Sequence, residues 1–207
     1  MSARAMPYPP LGYQLRIPDD IWDKALATMG IYATLGSSEL GERGSEGLVY
    51  LGGVVAGDEM LVTGLYRLNH EPQGDRVVVT PEEARWLLKS LRARDEKLVG
   101  QLHSHRGRAG HSPGDDVWAT SFHEGFLSIV VPWFGTAVTR PSDCAVLEYR
   151  GGRFVALARG EVDERIDVYA EIVERRAEVV VARETPRNEG RWRAFVARLQ
   201  SIAPKRP

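Results

Sequence analysis

His103 and His105 stand two residues apart in the run Gly100-Gln-Leu-His-Ser-His105, and Asp115 follows in Ser112-Pro-Gly-Asp115. The apolar lead-in, Lys97-Leu-Val-Gly-Gln-Leu-His103, reads as a buried strand. On a strand, residues i and i+2 point to the same face, so the two imidazoles can converge on one point. Two neutral imidazoles and one carboxylate make a three-ligand set for zinc and leave a fourth position open to water. That is the arrangement of a catalytic site rather than a closed structural one.

The carboxylate comes with its own helix signal. Ser112 suits an N-cap, Pro113 the first helical position, and Asp115 the third, with a helix running on through Val117, Trp118 and Ala119. The dipole at a helix amino end favours an ionised acid, the form that ligates metal. Asp116 is adjacent and stays open as the ligand, although the capping register favours Asp115.

His103-Ser-His105 followed by Ser112-x-x-Asp115 resembles the JAMM motif of the MPN+ (JAB) metallo-isopeptidases. The longer run His111-Ser-Pro-Gly-Asp-Asp116, with Gly125-Phe-Leu-Ser-Ile-Val-Val-Pro132 after it, is similar to the bacterial branch found beside ubiquitin-like conjugation genes. The resemblance extends from Pro18 to Ala158. The family pattern includes a glutamate on an earlier strand followed by small residues, and Glu46-Gly-Leu-Val-Tyr-Leu-Gly-Gly53 matches it. The resemblance implies zinc held by His103, His105 and Asp115, with Glu46 as general base and then acid, and Ser112 helping to hold the oxyanion. It also implies an α/β fold, the MPN (JAB) domain, a cytidine-deaminase-like mixed sheet flanked by helices. The expected substrate is a ubiquitin-like protein, matured from a precursor or removed from conjugates, its tail bound as an added strand. E1- and E2-like enzymes from the same operon are the expected partners, sometimes in antiviral defence.

Two departures from the family pattern fall between the ligands. Arg106 stands where the family usually has Pro, and the loop from His105 to Ser112 is one residue short. At the commoner spacing from His105 the ligand would be Asp116, and Ser112 would lose its place. Keeping Ser-x-x-Asp intact puts the deletion in the loop. Arg106 and Arg108, beside an open metal site, are candidates to contact an acidic or backbone-carbonyl feature of the substrate. Two other readings use the same fold: a non-catalytic MPN scaffold, which typically lacks the ligands, and a hydrolase of sulfur-carrier-protein adducts. A DNA-repair branch usually carries Asn between the histidines, where this chain has Ser104.

Other residues have blander explanations. Glu39, Glu42 and Glu59 lie near Glu46, and most glutamates are simply solvated. Glu46 differs in heading the apolar run Leu48-Val-Tyr-Leu51. His111 reads as a loop residue at a cleft rim, and His70 and His123 as polar-surface residues with no role. Cys144 is the only cysteine, which excludes an intramolecular disulfide and a cysteine-rich zinc site. It lies in an alternating stretch and reads as a small buried hydrophobe.

The chain has 207 residues, enough for one full core domain and an extension, and a formal charge of -1 that gives no nucleic-acid bias. No run approaches the ~20 apolar residues of a membrane span, and Met1-Ser-Ala-Arg-Ala-Met-Pro7 lacks a signal peptide's apolar core. No membrane partner and a cytoplasmic location are therefore expected.

The elements that must position the site alternate along the chain. A strand is predicted at Tyr13–Ile17 and a helix from Pro18 with Ile21, Trp22, Ala25, Leu26 and Met29 on one face. The Glu46 strand follows, then strands near Glu59–Thr63 and Arg76–Val79. Thr80-Pro-Glu-Glu83 is a capping box opening a helix with Ala84, Leu87, Leu88 and Leu91. Phe126–Val131 reads as a fully buried central strand, and residues 144–158 as a hairpin turning at Gly151-Gly152. The domain is predicted to span residues 1–158. An extension follows over 159–207, with helix or strand both open for 161–184, a linker over 183–190, and an amphipathic helix over 190–202 carrying Trp192, Phe195, Val196 and Leu199.

Overall fold

The computed structural model describes residues 11–35, 44–68, 77, 79–110, 123–170 and 179–181. In chain order the elements are β1 (Gln14–Pro18), α1 (Asp19–Tyr32), β2 (Leu48–Ala56), β3 (Glu59–Arg67), α2 (Pro81–Ala93), β4 (Lys97–Ser104) and β5 (Leu127–Val131). They continue with β6 (Ala145–Arg150), β7 (Arg153–Ala156), α3 (Arg159–Arg165), β8 (Ile166–Tyr169) and β9 (Val179–Val181). The strands form one mixed sheet in the order β7-β6-β5-β4-β2-β3-β1-β8, with β9 added to β3. β1 runs parallel to β3 and β8, and β4 parallel to β5. β2 pairs with β3 along its length, so β1 and β9 share the opposite edge of β3, at Glu59–Leu61 and Leu65–Arg67.

The sheet has a core on each face. On one side α1 contributes Ile21, Trp22, Ala25 and Met29, packed with Leu15, Val49, Leu51, Leu102, Ile129 and Val131. On the other, Leu87 and Leu91 of α2 pack with Leu48, Tyr50, Tyr66 and Leu98. Both helices follow their sequence signals. Asp19 and Asp20 lie in the first turn of α1, where the helix dipole favours acids. Thr80 and Glu83 close a reciprocal capping box on α2: Glu83 N–H donates to Thr80 Oγ1 (3.2 Å) and Thr80 N–H to Glu83 Oε2 (2.8 Å). Thr80→Ala is expected to cost about 1 kcal/mol, a fall in Tm of roughly 2–4 °C by calorimetry.

A β-bulge decides which face the site occupies. Leu51 pairs with Gly100 but Gly52 with Leu98, so Val99 is an extra residue in β4. A one-residue slip exchanges the two faces of everything beyond it. Leu98 therefore joins the α2 core, and Val99 the α1 core. After the slip, Leu102 lies between Val49 and Ile129 on the α1 side, and His103 between Leu48 and Val130 on the α2 side. Without the extra residue His103 would point into the apolar core under α1. Buried Glu96 pins this region, accepting from Thr63 Oγ1 (3.0 Å), Tyr66 Oη and Arg94 Nε (3.1 Å).

The two ends of the sheet are tied together across the fold. Tyr13 Oη, just before β1, donates to the Gly125 carbonyl before β5 (2.9 Å). Arg165, just before β8, meets the buried Glu148 of β6 through two nitrogens (2.8 and 3.1 Å), and Arg150 bonds the same carboxylate. Burial pushes the Glu148 pKa up, but hydrogen bonds and charge from Arg165 and Arg150 outweigh it and hold the carboxyl below its ordinary value.

The predicted strand at 76–79 falls partly outside the described residues. Val77 and Val79, which are described, are not in a strand and pack against the α2-side core instead. In the stretch left open as helix or strand, α3 ends at Arg165 and gives way to β8, which pairs with β1, so the sheet runs on past residue 158. The helix expected from Ser112, the linker over 183–190 and the amphipathic helix over 190–202 lie outside the described residues. His123, predicted on a polar surface, is instead partly buried with its ring edge-to-face on Phe126 at 5.4 Å. Burial and then the nearby Lys97 lower its pKa to about 4, so it is neutral at physiological pH. No helix among the described residues is long and apolar enough to cross a membrane.

Candidate metal centre

His103 and His105 come together at the end of β4. The strand ends at Ser104, yet His105 N–H still donates to Val131 O (2.9 Å), so the ladder with β5 carries one residue further. The two rings lie 5.0 Å apart between centroids, with their planes at 55°. His103 is 7% exposed and both of its ring nitrogens are shut off from water.

The segment that carries Glu46 is tied to the residue between the histidines through Gly47. Ser104 N–H donates to Gly47 O (3.0 Å), and Gly47 N–H donates to Ser104 Oγ (2.9 Å). The other flank of Glu46 is fixed by α1, where Ser45 N–H donates to Tyr32 O (3.0 Å). Tyr32 is fully buried, and Arg67 Nε donates to its Oη (2.9 Å). The Tyr32 ring lies so close to Gly47 that a Cβ there would stand 2.4 Å from Cδ2. Gly47→Ala must therefore displace the ring or the strand. The expected result is a loss of about 1–3 kcal/mol in denaturant unfolding, with the segment that carries Glu46 shifted against β4.

Arg106 is exposed, and its Nη2 donates to the Gly44 carbonyl (3.2 Å), joining the histidine turn to the segment that carries Glu46. Arg108 is exposed on the same turn. The turn at Pro132–Gly135 backs it, since Trp133 N–H donates to Gly107 O (2.9 Å) and Phe134 N–H to His105 O (3.1 Å). The remaining candidates, Ser112 and Asp115 with the alternative Asp116, lie outside the described residues, as does His111. Among the described residues no group of three or more His, Cys, Asp or Glu is placed to hold a metal. The described part of the candidate site thus consists of two imidazoles and, just before β2, the anchored segment that carries Glu46.

Ser104 and Tyr32 fix the Ser45–Gly47 segment through contacts that the sequence did not reveal. In the sequence Ser104 is marked only as the residue between the two histidines, and nothing marks Tyr32, because the contacts of both are with residues distant in the chain. Cys144 is partly buried beside the α1-side core, and burial, then the charge of Asp143, pushes its thiol up to about 12. That thiol is a poor nucleophile at neutral pH.

Fold and site together are a mixed α/β sheet with an imidazole pair at the end of a central strand. Over 99 residues the chain is 36% identical to "Probable metalloprotease y4jG" of Sinorhizobium fredii, a match that takes in 46% of this chain and 61% of that protein. The matched region is thus less than two thirds of the relative's length. The solution structure of protein DSY2949 from Desulfitobacterium hafniense is similar in fold, with a TM-score of 0.56 at 18% identity over 76% of this chain and 94% of that one. No protein-family model matches the chain.

Proposed function

We propose that this chain is a zinc metalloprotease of the JAMM type, an isopeptidase that matures a ubiquitin-like protein or removes it from conjugated targets. The observation that carries the reading is the joint between Gly47 and Ser104, which anchors the Glu46 segment at the His103–His105 pair. The likeness to a protein named as a probable metalloprotease supports it. The donor set fits the metal, because two imidazoles with ring centroids 5.0 Å apart, one with both nitrogens shut off from water, are ligands of the kind zinc prefers. His103, His105 and Asp115 would hold the ion.

Zinc in such a site lowers the pKa of a neighbouring water and polarises a carbonyl. Glu46 accepts the proton of the attacking water and then delivers it to the leaving amine, so one carboxylate serves as base and acid in turn. Ser112 donates to the developing oxyanion, the kind of preorganised contact that dominates many acyl-transfer barriers. The clamps on Ser45 and Gly47 hold the base in place before the substrate arrives, which limits the reorganisation the reaction must include. The substrate's extended tail enters as an added strand, with Arg106 and Arg108 at the turn beside it, and E1- and E2-like partners share the cytoplasm.

The test is a panel of modifier-tail peptides and whole modifier fusions, incubated with zinc-loaded protein with and without chelator. Chelator-sensitive cleavage after the modifier's tail is the expected result. Cleavage that survives full removal of the metal, or none on any substrate with zinc loaded, would contradict the reading.

A further inference from the structure

Trp133 is half-exposed, at 51%, on a backbone that an L-residue rarely adopts. Its φ and ψ are 50° and 36°, those of Phe134 are 55° and 24°, and Gly135 follows with φ 82°. Two bulky residues in succession in the left-handed region are strained, because Cβ crowds the following carbonyl. Such strain persists where the surroundings over-determine it, and it collects at binding and catalytic sites. Here the strain is held in place by bonds to the histidine turn, from Trp133 N–H to Gly107 O and from Phe134 N–H to His105 O. Beside it the Cα of Gly107 faces open space: a Cβ there would meet nothing within 4 Å. The fold thus keeps strain in a turn whose backbone is bonded to the residue pair His105 and Gly107, and that turn leaves a large aromatic side chain half-exposed.

We infer that Trp133 is a specificity-determining residue, an apolar wall against which a peptide side chain flanking the scissile bond packs. This inference rests on the hydrolase reading for its substrate class, a peptide in extended form. A rigid indole offers a large contact area at little entropic cost, which is why Trp is over-represented among the residues that dominate binding. A Trp that served only the fold would be covered, and Gly at its φ would serve the turn better.

The experiment uses the zinc-loaded full chain and two uncleavable peptides with a reduced scissile bond, one flanked by Leu and one by Gly. Kd is measured for wild type, Trp133→Phe and Trp133→Gly, and Tm for all three. The wild type is expected to prefer the Leu peptide by about tenfold, Trp133→Phe to keep most of that preference, and Trp133→Gly to lose it. Tm of Trp133→Gly is expected to equal or exceed that of the wild type, since glycine relieves the strain. A Leu preference that survives in Trp133→Gly, or no preference in the wild type, overturns the inference. A wild type that shows the preference but cleaves no amide version of the Leu peptide upholds the role of Trp133 and contradicts only the hydrolase reading.

Discussion

Glu46→Gln is expected to take up zinc as the wild type does and to lose turnover by roughly 10²–10⁴-fold, the usual contribution of a positioned general base. The substitution keeps the shape of the side chain and removes its capacity to accept a proton. Glu46 lies on the segment that Ser104 and Tyr32 grip from either side, so the amide should occupy the place of the acid. The loss should fall on kcat with KM little changed, because the proton transfer belongs to the transition state. His103→Ala serves as the contrasting variant, since removing an imidazole should lose metal and turnover together. Steady-state kinetics and metal content on both variants check the pair. Wild-type turnover in Glu46→Gln would remove the general-base assignment while leaving the metal site standing.

Glu148→Ala is expected to cost about 3–5 kcal/mol, the usual effect of breaking a buried ion pair and leaving the partner charge uncompensated. Glu148 is fully buried, and it receives Arg165, whose side chain is only 11% exposed, as well as Arg150. The damage should spread, because this contact joins β6 to the chain entering β8 at the far end of the sheet order. A typical domain has only about 5–15 kcal/mol of stability, so the variant should unfold at much lower denaturant. The same group sets an acid limit. Its folded pKa lies below the ordinary 4.5, so its contribution is complete above that value and is lost as pH falls through the lower folded one. Denaturant unfolding at neutral and acid pH should show the gap between wild type and Glu148→Ala narrowing in acid. A gap that stays constant would deny Glu148 this role.

What could be read from the sequence was local. Two histidines at strand spacing and the Thr80–Glu83 box are patterns of neighbouring residues, the spacing of apolar residues marks α1 and α2, and an unbroken apolar run marks β5. What could not be read depends on contacts between distant residues. The extra residue at Val99 turns His103 to the α2 side, yet nothing in Lys97-Leu-Val-Gly announces a bulge, because its register is set against Leu51 and Gly52 of another strand. The bond from Gly47 to Ser104 spans 57 positions, and that from Arg165 to Glu148 closes two ends of a sheet whose order is itself non-local. Val77 and Val79 alternate as a strand would, but packing against α2 gives them another use. The strain at Trp133 and Phe134 is equally invisible, since bulky residues carry no signal for the left-handed region.

The most direct test of the metal centre is zinc per chain. Protein purified without chelator, reloaded with zinc and dialysed, is measured beside His103→Ala. About one zinc per chain is expected in the wild type and almost none in the variant. Equal zinc in both, or none in either, would contradict the metal centre and leave the two histidines as neighbours in a fold that does no metal chemistry.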